Sequence, residues 1–279
     1  MKNDNQLQAL YEQSKAAMEM HQYDEMYALL NQAAEEGYRP AMVTLGRMYY
    51  NGKGVEPDED KAIYWLTKAA DLGSTAACKN LGHIYYDKGD TDENNRLAWK
   101  YYSASTEWKA NNLFYVGKMI IENRVRNIGT IWSEGFDDEE RTDVGISYYQ
   151  DALDAKYSLA GLYLWKMYRM YGLTDPAEEF YKQGEQLMET PAEYNNWAFT
   201  LSEWGEHEKA LPYIEKAMEM VGEDKLRPYM IDTYAEVLFG LGRLDEAKQA
   251  FDKCLAVAKN LDERRHIRET EEKIKQKFN

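Results

Sequence analysis

Cysteine is nearly absent from this chain of 279 residues: Cys78 and Cys254 lie far apart, each at a small-residue position of an apolar helical pattern. Such thiols read as buried side chains in a reducing compartment rather than a disulfide framework. Histidine is scarce as well. None of His21, His83, His207 and His266 falls four residues from another, and no Cys-x-x-Cys pair occurs, which argues against a zinc site of these ligands. Six prolines and eighteen glycines leave room for long helices with few breaks, and 23 tyrosines promise aromatic packing. No stretch approaches the roughly 18 uninterrupted apolar residues of a membrane span. Residues 1–6 also lack an apolar run of signal-peptide length, so a cytoplasmic location is expected. Positive charge is in deficit, with Lys+Arg 34 against Asp+Glu 49 and a net charge of −15. Such a chain repels phosphate, which disfavours nucleic acid and anionic membranes as partners. With 44% hydrophobic residues it is nonetheless too apolar for disorder.

What is present is repetition. Ala41, Leu45, Gly46, Tyr49 and Tyr50 recur as Ala77, Leu81, Gly82, Tyr85 and Tyr86, each 36 positions on, and Gly37 recurs as Gly73. Further along, Gly205, Ala210 and Ala217 recur as Gly242, Ala247 and Cys254 at an offset of 37. This period belongs to stacked helical hairpins. In each hairpin the first and second helix cross closely, so one position on each is small. Ser14, Gly46, Gly82, Gly117, Ala198 and Ala235 supply it on the first helix; Ala33, Ala69, Ala152, Ala217 and Cys254 supply it on the second. Large apolar residues at helical spacing beside them seal the interfaces. The pattern predicts hairpins near 4–36, 40–72, 76–109, 111–155, 158–188, 192–220 and 229–259. A charged final helix near 262–278, with a thin stripe of Ile267, Ile274 and Phe278, is expected to cap the end or, alternatively, to bind a partner.

The segment from Asn51 to Ala70 contains Gly52-Lys53-Gly54-Val55, Asp58 to Ala62 and Trp65 to Ala70. It resembles the Sel-one-like repeat (SLR), with its G-x-G-V, D-x-x-K-A and W-x-x-K-A-A signature. The resemblance covers 41–73 and 77–105 and is degenerate from 110 to 188. Residues 192–259, with Trp197-Ala198, Gly205, Ala210 and Ala217, resemble tetratricopeptide repeats (TPR) instead. The expected architecture is all-α: a right-handed α-solenoid of about seven helix-turn-helix repeats plus a C-terminal capping helix. Sel-one-like repeats would fill 1–188, two tetratricopeptide repeats 189–261 and the cap 262–279. The resemblance implies protein–protein contact and no shared substrate.

Between the helices of the fourth hairpin, residues 123–141 are too long for a plain turn, and loops of that length are often functional. Trp132 and Phe136 there are candidate anchors for a partner, or they fold back to fill a hole in their own repeat. No phosphate-binding glycine loop or G-x-S-x-G nucleophile turn is present; Gly52-Lys53-Gly54 belongs to the repeat signature. Acidic runs such as Asp58-Glu59-Asp60 and Asp137-Asp138-Glu139-Glu140 read as solvated faces or helix N-terminal charges rather than calcium sites. No enzyme and no cofactor is expected.

The residue after each small position on the first helices is Lys15, Arg47, His83, Lys118 and Lys166, then Phe199 and Glu236. Three positions further come Met18, Tyr50, Tyr86, Ile121, Arg169, Ser202 and Phe239. Five groups able to carry positive charge in so acidic a chain suggest a concave basic and aromatic groove, turning acidic towards Asp232 and Glu236. Scattered solvated charges are the plain alternative. A groove of this kind would hold an acidic segment of another protein or peptide, Arg47 and Arg169 forking carboxylates while Tyr50 and Tyr86 cover apolar side chains. The expected function is a non-catalytic adaptor. The alternative is an inhibitor or immunity protein whose acidic surface masks a toxic enzyme.

Overall fold

The computed structural model describes residues 3–20, 22–104, 110–125 and 137–257. Among these residues it contains fourteen α-helices and no strand. They follow one another as hairpins: α1 (Asp4–Glu19) with α2 (Tyr23–Glu35), α3 (Arg39–Asn51) with α4 (Glu59–Asp71), and α5 (Thr75–Asp87) with α6 (Asp92–Ser103). Next come α7 (Ala110–Ile121) with α8 (Asp138–Asp154) and α9 (Ser158–Met170) with α10 (Thr174–Gln186). The last two are α11 (Pro191–Glu203) with α12 (His207–Val221) and α13 (Pro228–Gly240) with α14 (Leu244–Val257). The hairpin limits read from the repeat hold to within two residues where they fall on described residues; the expected limits 109 and 259 lie outside them. Two compact units divide the chain, residues 1–152 and 153–279. The expected final helix, 262–278, lies outside the described residues, as do Trp132 and Phe136.

Local chemistry explains the helix ends. Asn3 and Gln6 form a reciprocal capping box at α1, and Thr190 and Glu193 do the same at α11. Asp58, Ser74 and Thr91 each accept a backbone N–H in the first turn of the helix that follows, which satisfies a donor the helix cannot use. Gly37 and Gly73 end their hairpins at φ of 97° and 80°, a left-handed conformation that side chains disfavour.

The small positions lie where helices touch. A Cβ on Gly46 would come within 2.5 Å of Leu66, and one on Gly82 within 2.6 Å of the Tyr102 ring. In the fourth hairpin the close partner of Gly117 is Gly145, whose carbonyl oxygen would lie 2.9 Å from an added Cβ. Ala152, the residue expected in that role, is buried about two turns further along. The fifth hairpin departs from the others. Trp165 occupies the position that is small elsewhere, and the crossing shifts one turn earlier to Gly161 against Gly184. The bulky indole is buried, with its Nε1 donating to Glu178 at 3.0 Å.

In residues 1–152 a core runs from Met26 and Leu30 through Leu45, Leu66 and Leu81, and a second gathers Tyr102, Val116, Met119 and Ile120. In residues 153–279 Trp165, Trp197, Leu201 and Ile214 form the principal core. Tyr213 there donates to Glu185 at 2.6 Å, so a hydroxyl taken from water keeps a partner.

Candidate protein-binding surface

Within residues 1–152 the first helices bring three of the anticipated residues into one cluster. The His83 Nδ1 is hydrogen-bonded to the Tyr102 hydroxyl at 2.9 Å, and its ring meets the Tyr115 ring edge-on at 4.4 Å between centroids. Burial, with lesser contributions from Lys79 and Lys118, holds the imidazole down at about 4. Of the five groups in this column able to carry positive charge, His83 is therefore held neutral at pH 7. Its neighbours remove its water, and two cations oppose the charged form.

Tyr86 is buried, where a partner-facing ring was expected. Its hydroxyl donates to Glu122, 36 positions on, and the Arg124 guanidinium covers its ring at 3.8 Å. Arg124 also donates to the Tyr86 carbonyl at 2.8 Å and pairs with Glu122 at 3.2 Å. Lys118 lies 5.1 Å above the same ring and 3.9 Å from Glu122. Burial pushes the Lys118 ammonium below its ordinary value, and Glu122 pulls it back up. Tyr86 and Lys118 thus form an internal clasp between α5 and the end of α7. Glu122 and Arg124 are absent from the sequence reading; the 36-residue spacing from Tyr86 to Glu122 is the signal that points to them.

Lys15 and Arg47 stay at the surface. Lys15 pairs with Glu12 at 2.9 Å and lies 4.8 Å over the Tyr11 ring. Arg47 is exposed and, among the described residues, has neither an ion pair nor a ring contact. Tyr50, one turn further along α3, is 38% exposed. Burial, followed by the carboxylates of Asp87 and Glu59, raises its hydroxyl above the usual phenol value.

Residues 153–279 hold the other two candidates. Lys166 places its ammonium 4.0 Å over the Trp204 ring. Arg169 covers Trp165 at 4.6 Å and pairs with Glu206 at 3.3 Å, and Lys209 approaches the same carboxylate at 3.6 Å. Trp204 and Glu206 are further residues that the sequence reading passed over. Asp232, expected to make this surface acidic, is buried. Among the described residues no group of three or more His, Cys, Asp or Glu side chains could hold a metal ion, and no helix is long and apolar enough to cross a membrane. Exposed cations beside aromatic faces suit recognition of another chain.

Residues 39–74 and 75–107 match the family model of the Sel1 repeat, and residues 232–261 that of the tetratricopeptide repeat. Residues 39–107 carry two Sel1 repeats. A crystal structure of a Sel1 repeat protein from Oxalobacter formigenes is similar to it with a TM-score of 0.54 at 19% identity, covering 89% of this chain and 100% of that one. A tetratricopeptide repeat protein from Parabacteroides merdae gives 0.51 at 15% identity, covering 98% and 99%. These two likenesses concern the fold: an all-α solenoid of helical hairpins. Over 63 residues the chain is 38% identical to the ERAD-associated E3 ubiquitin-protein ligase component HRD3A of Arabidopsis thaliana. That match spans 22% of this chain and 9% of the length of that relative. Sel1 and tetratricopeptide repeats generally mediate contact with other proteins.

Proposed function

We propose that this Sel1-repeat protein is a non-catalytic scaffold that holds an acidic segment of a partner protein on the first-helix face of residues 1–152. The observation that carries this reading is Arg47, an exposed cation with no described carboxylate beside it in a chain of net charge −15. A guanidinium left open in such a chain keeps all its donors for a carboxylate brought from outside. Tyr50, exposed on the next turn of the same helix, offers a ring face for an apolar side chain of that segment. Lys118 and Tyr86 support the surface from beneath through their clasp with Glu122 and Arg124 rather than by touching the partner.

Affinity capture from native extract tests this reading. The Arg47→Glu/Tyr50→Ala double variant should retain its helicity by circular dichroism and lose its captured partner at least about tenfold, the loss of roughly one charge-assisted pair and one ring contact. Raised salt should weaken capture by the unaltered chain. Equal capture by the double variant would remove the basis of the reading.

A further inference from the structure

The half-buried cations of the described residues follow a rule with one exception. Lys118 and Arg124 share Glu122, Arg141 pairs with Asp138, and Arg243 pairs with Glu246. Lys166 is half-buried too, yet what its ammonium meets is the Trp204 ring, and no described carboxylate reaches it. Burial alone displaces its proton affinity, downward, with no acid compensating. The Trp204 ring offsets part of the cost of partly desolvating this cation, and a carboxylate brought from outside would offset the rest.

The surroundings say what would. One turn along α9, Arg169 is exposed, and its bond to Glu206 occupies only one of its terminal nitrogens, at 3.3 Å. Its remaining N–H groups are open for a carboxylate. Immediately beyond, Met170, Tyr171 and Leu173 are 72%, 52% and 48% exposed, three large apolar side chains within four positions at the turn into α10. Charged anchors and bare apolar side chains on adjoining turns make a surface that neither salt nor water satisfies alone.

We propose that Lys166, Arg169, Met170, Tyr171 and Leu173 form a second docking surface, within residues 153–279, for a partner segment carrying carboxylates next to large apolar side chains. Carboxylates of that segment complete Lys166 and fork Arg169, and its apolar side chains cover Met170 and Leu173. The proposal shares with the function above the premise of a protein-binding scaffold, but it rests on different residues.

A displayed library of random peptides, selected on the full chain, tests it. Enriched peptides should combine Asp or Glu with large apolar residues. A fluorescently labelled winner should bind the Lys166→Glu/Arg169→Glu variant at least tenfold more weakly, and the Met170→Ser/Leu173→Ser variant likewise. The Arg47→Glu/Tyr50→Ala variant should bind it unchanged. Lys166→Met, which keeps the stem of the side chain over Trp204, guards against loss of folding and should weaken binding in the same direction. Selection that yields no binder, winners without acidic residues, or winners that bind the Lys166→Glu/Arg169→Glu variant normally would overturn the proposal. So would winners that depend on Arg47 alone, which would support the first surface and not this one. Sedimentation covers a second copy as occupant: self-association abolished by Met170→Ser/Leu173→Ser would assign the surface to a copy contact and refute an acidic segment.

Discussion

Gly161 and Gly184 meet backbone against backbone: a Cβ on Gly161 would lie 2.7 Å from the Gly184 Cα and 2.6 Å from the Phe180 carbonyl oxygen. No side chain stands between α9 and α10 there to rotate away, so any added atom pushes the two helices apart. This contact takes over the close crossing that Trp165 denies the fifth hairpin.

Gly161→Ala should therefore destabilise residues 153–279 by about 1–3 kcal/mol, the range for overpacking a filled interface. Gly240→Ala offers the contrast, because its added Cβ would meet the ring of His207, a side chain able to swing. It should cost less than about 1 kcal/mol, since helix propensity partly offsets the displacement. Urea unfolding midpoints of the two variants check the difference, and equal losses would show that the glycine pair is no tighter than its neighbours.

His83 sets a pH dependence for residues 1–152. Its folded value of about 4 lies below the ordinary 6.5, so the unfolded chain takes up a proton there that the folded chain refuses. Stability from this group is complete above pH 6.5 and falls as pH drops from 6.5 towards 4. By pH 5 the loss should approach about 2 kcal/mol relative to pH 7. His83→Gln should remove that portion of the acid sensitivity. An NMR titration should find the ring still neutral at pH 5, and a protonated ring at that pH would contradict the assignment.

Arg124 closes the end of α5 by three means at once: its stack on Tyr86, its bond to the Tyr86 carbonyl and its pair with Glu122. Arg124→Ala should cost about 2 kcal/mol, measured by chemical unfolding. Arg124→Lys should recover only part of it, because an ammonium lacks the planar fork that stacks and donates in two directions. Full recovery by lysine would mean that charge alone matters at this site.

Tyr213→Phe removes the donor held by Glu185 and with it a bond from the buried end of the Tyr213 side chain to an exposed carboxylate. A loss of about 1 kcal/mol is expected, with the circular dichroism spectrum unchanged. A variant as stable as the parent would indicate that water replaces the hydroxyl.

Much of the fold was legible because a repeat states its own rule several times. The offsets from Gly46 to Gly82 and from Ala41 to Ala77 mark positions where helices must approach, and such positions tolerate only small residues. The fifth hairpin escaped that reading. Gly161 is one turn out of register with the other small positions, and nothing in a linear alignment says that Gly184 waits opposite it. The candidate surface was legible by residue type but not by role. Arg47 and Lys15 are exposed, as their places in the repeat imply, whereas Tyr86 and Lys118 serve the clasp with Glu122 and Arg124.

The sequence by itself determined the helices and their pairing into hairpins, since helical periodicity and side-chain size act over a few turns of one chain segment. Tertiary structure alone decided which charges survive and which find partners. His83 is neutral because Tyr102 and Tyr115, from two other helices, strip it of water. Lys166 has no counter-ion among the described residues because what folding brings to it is the ring of Trp204. Desolvation and pairing depend on neighbours distant in sequence, and those exist only once the helices have packed.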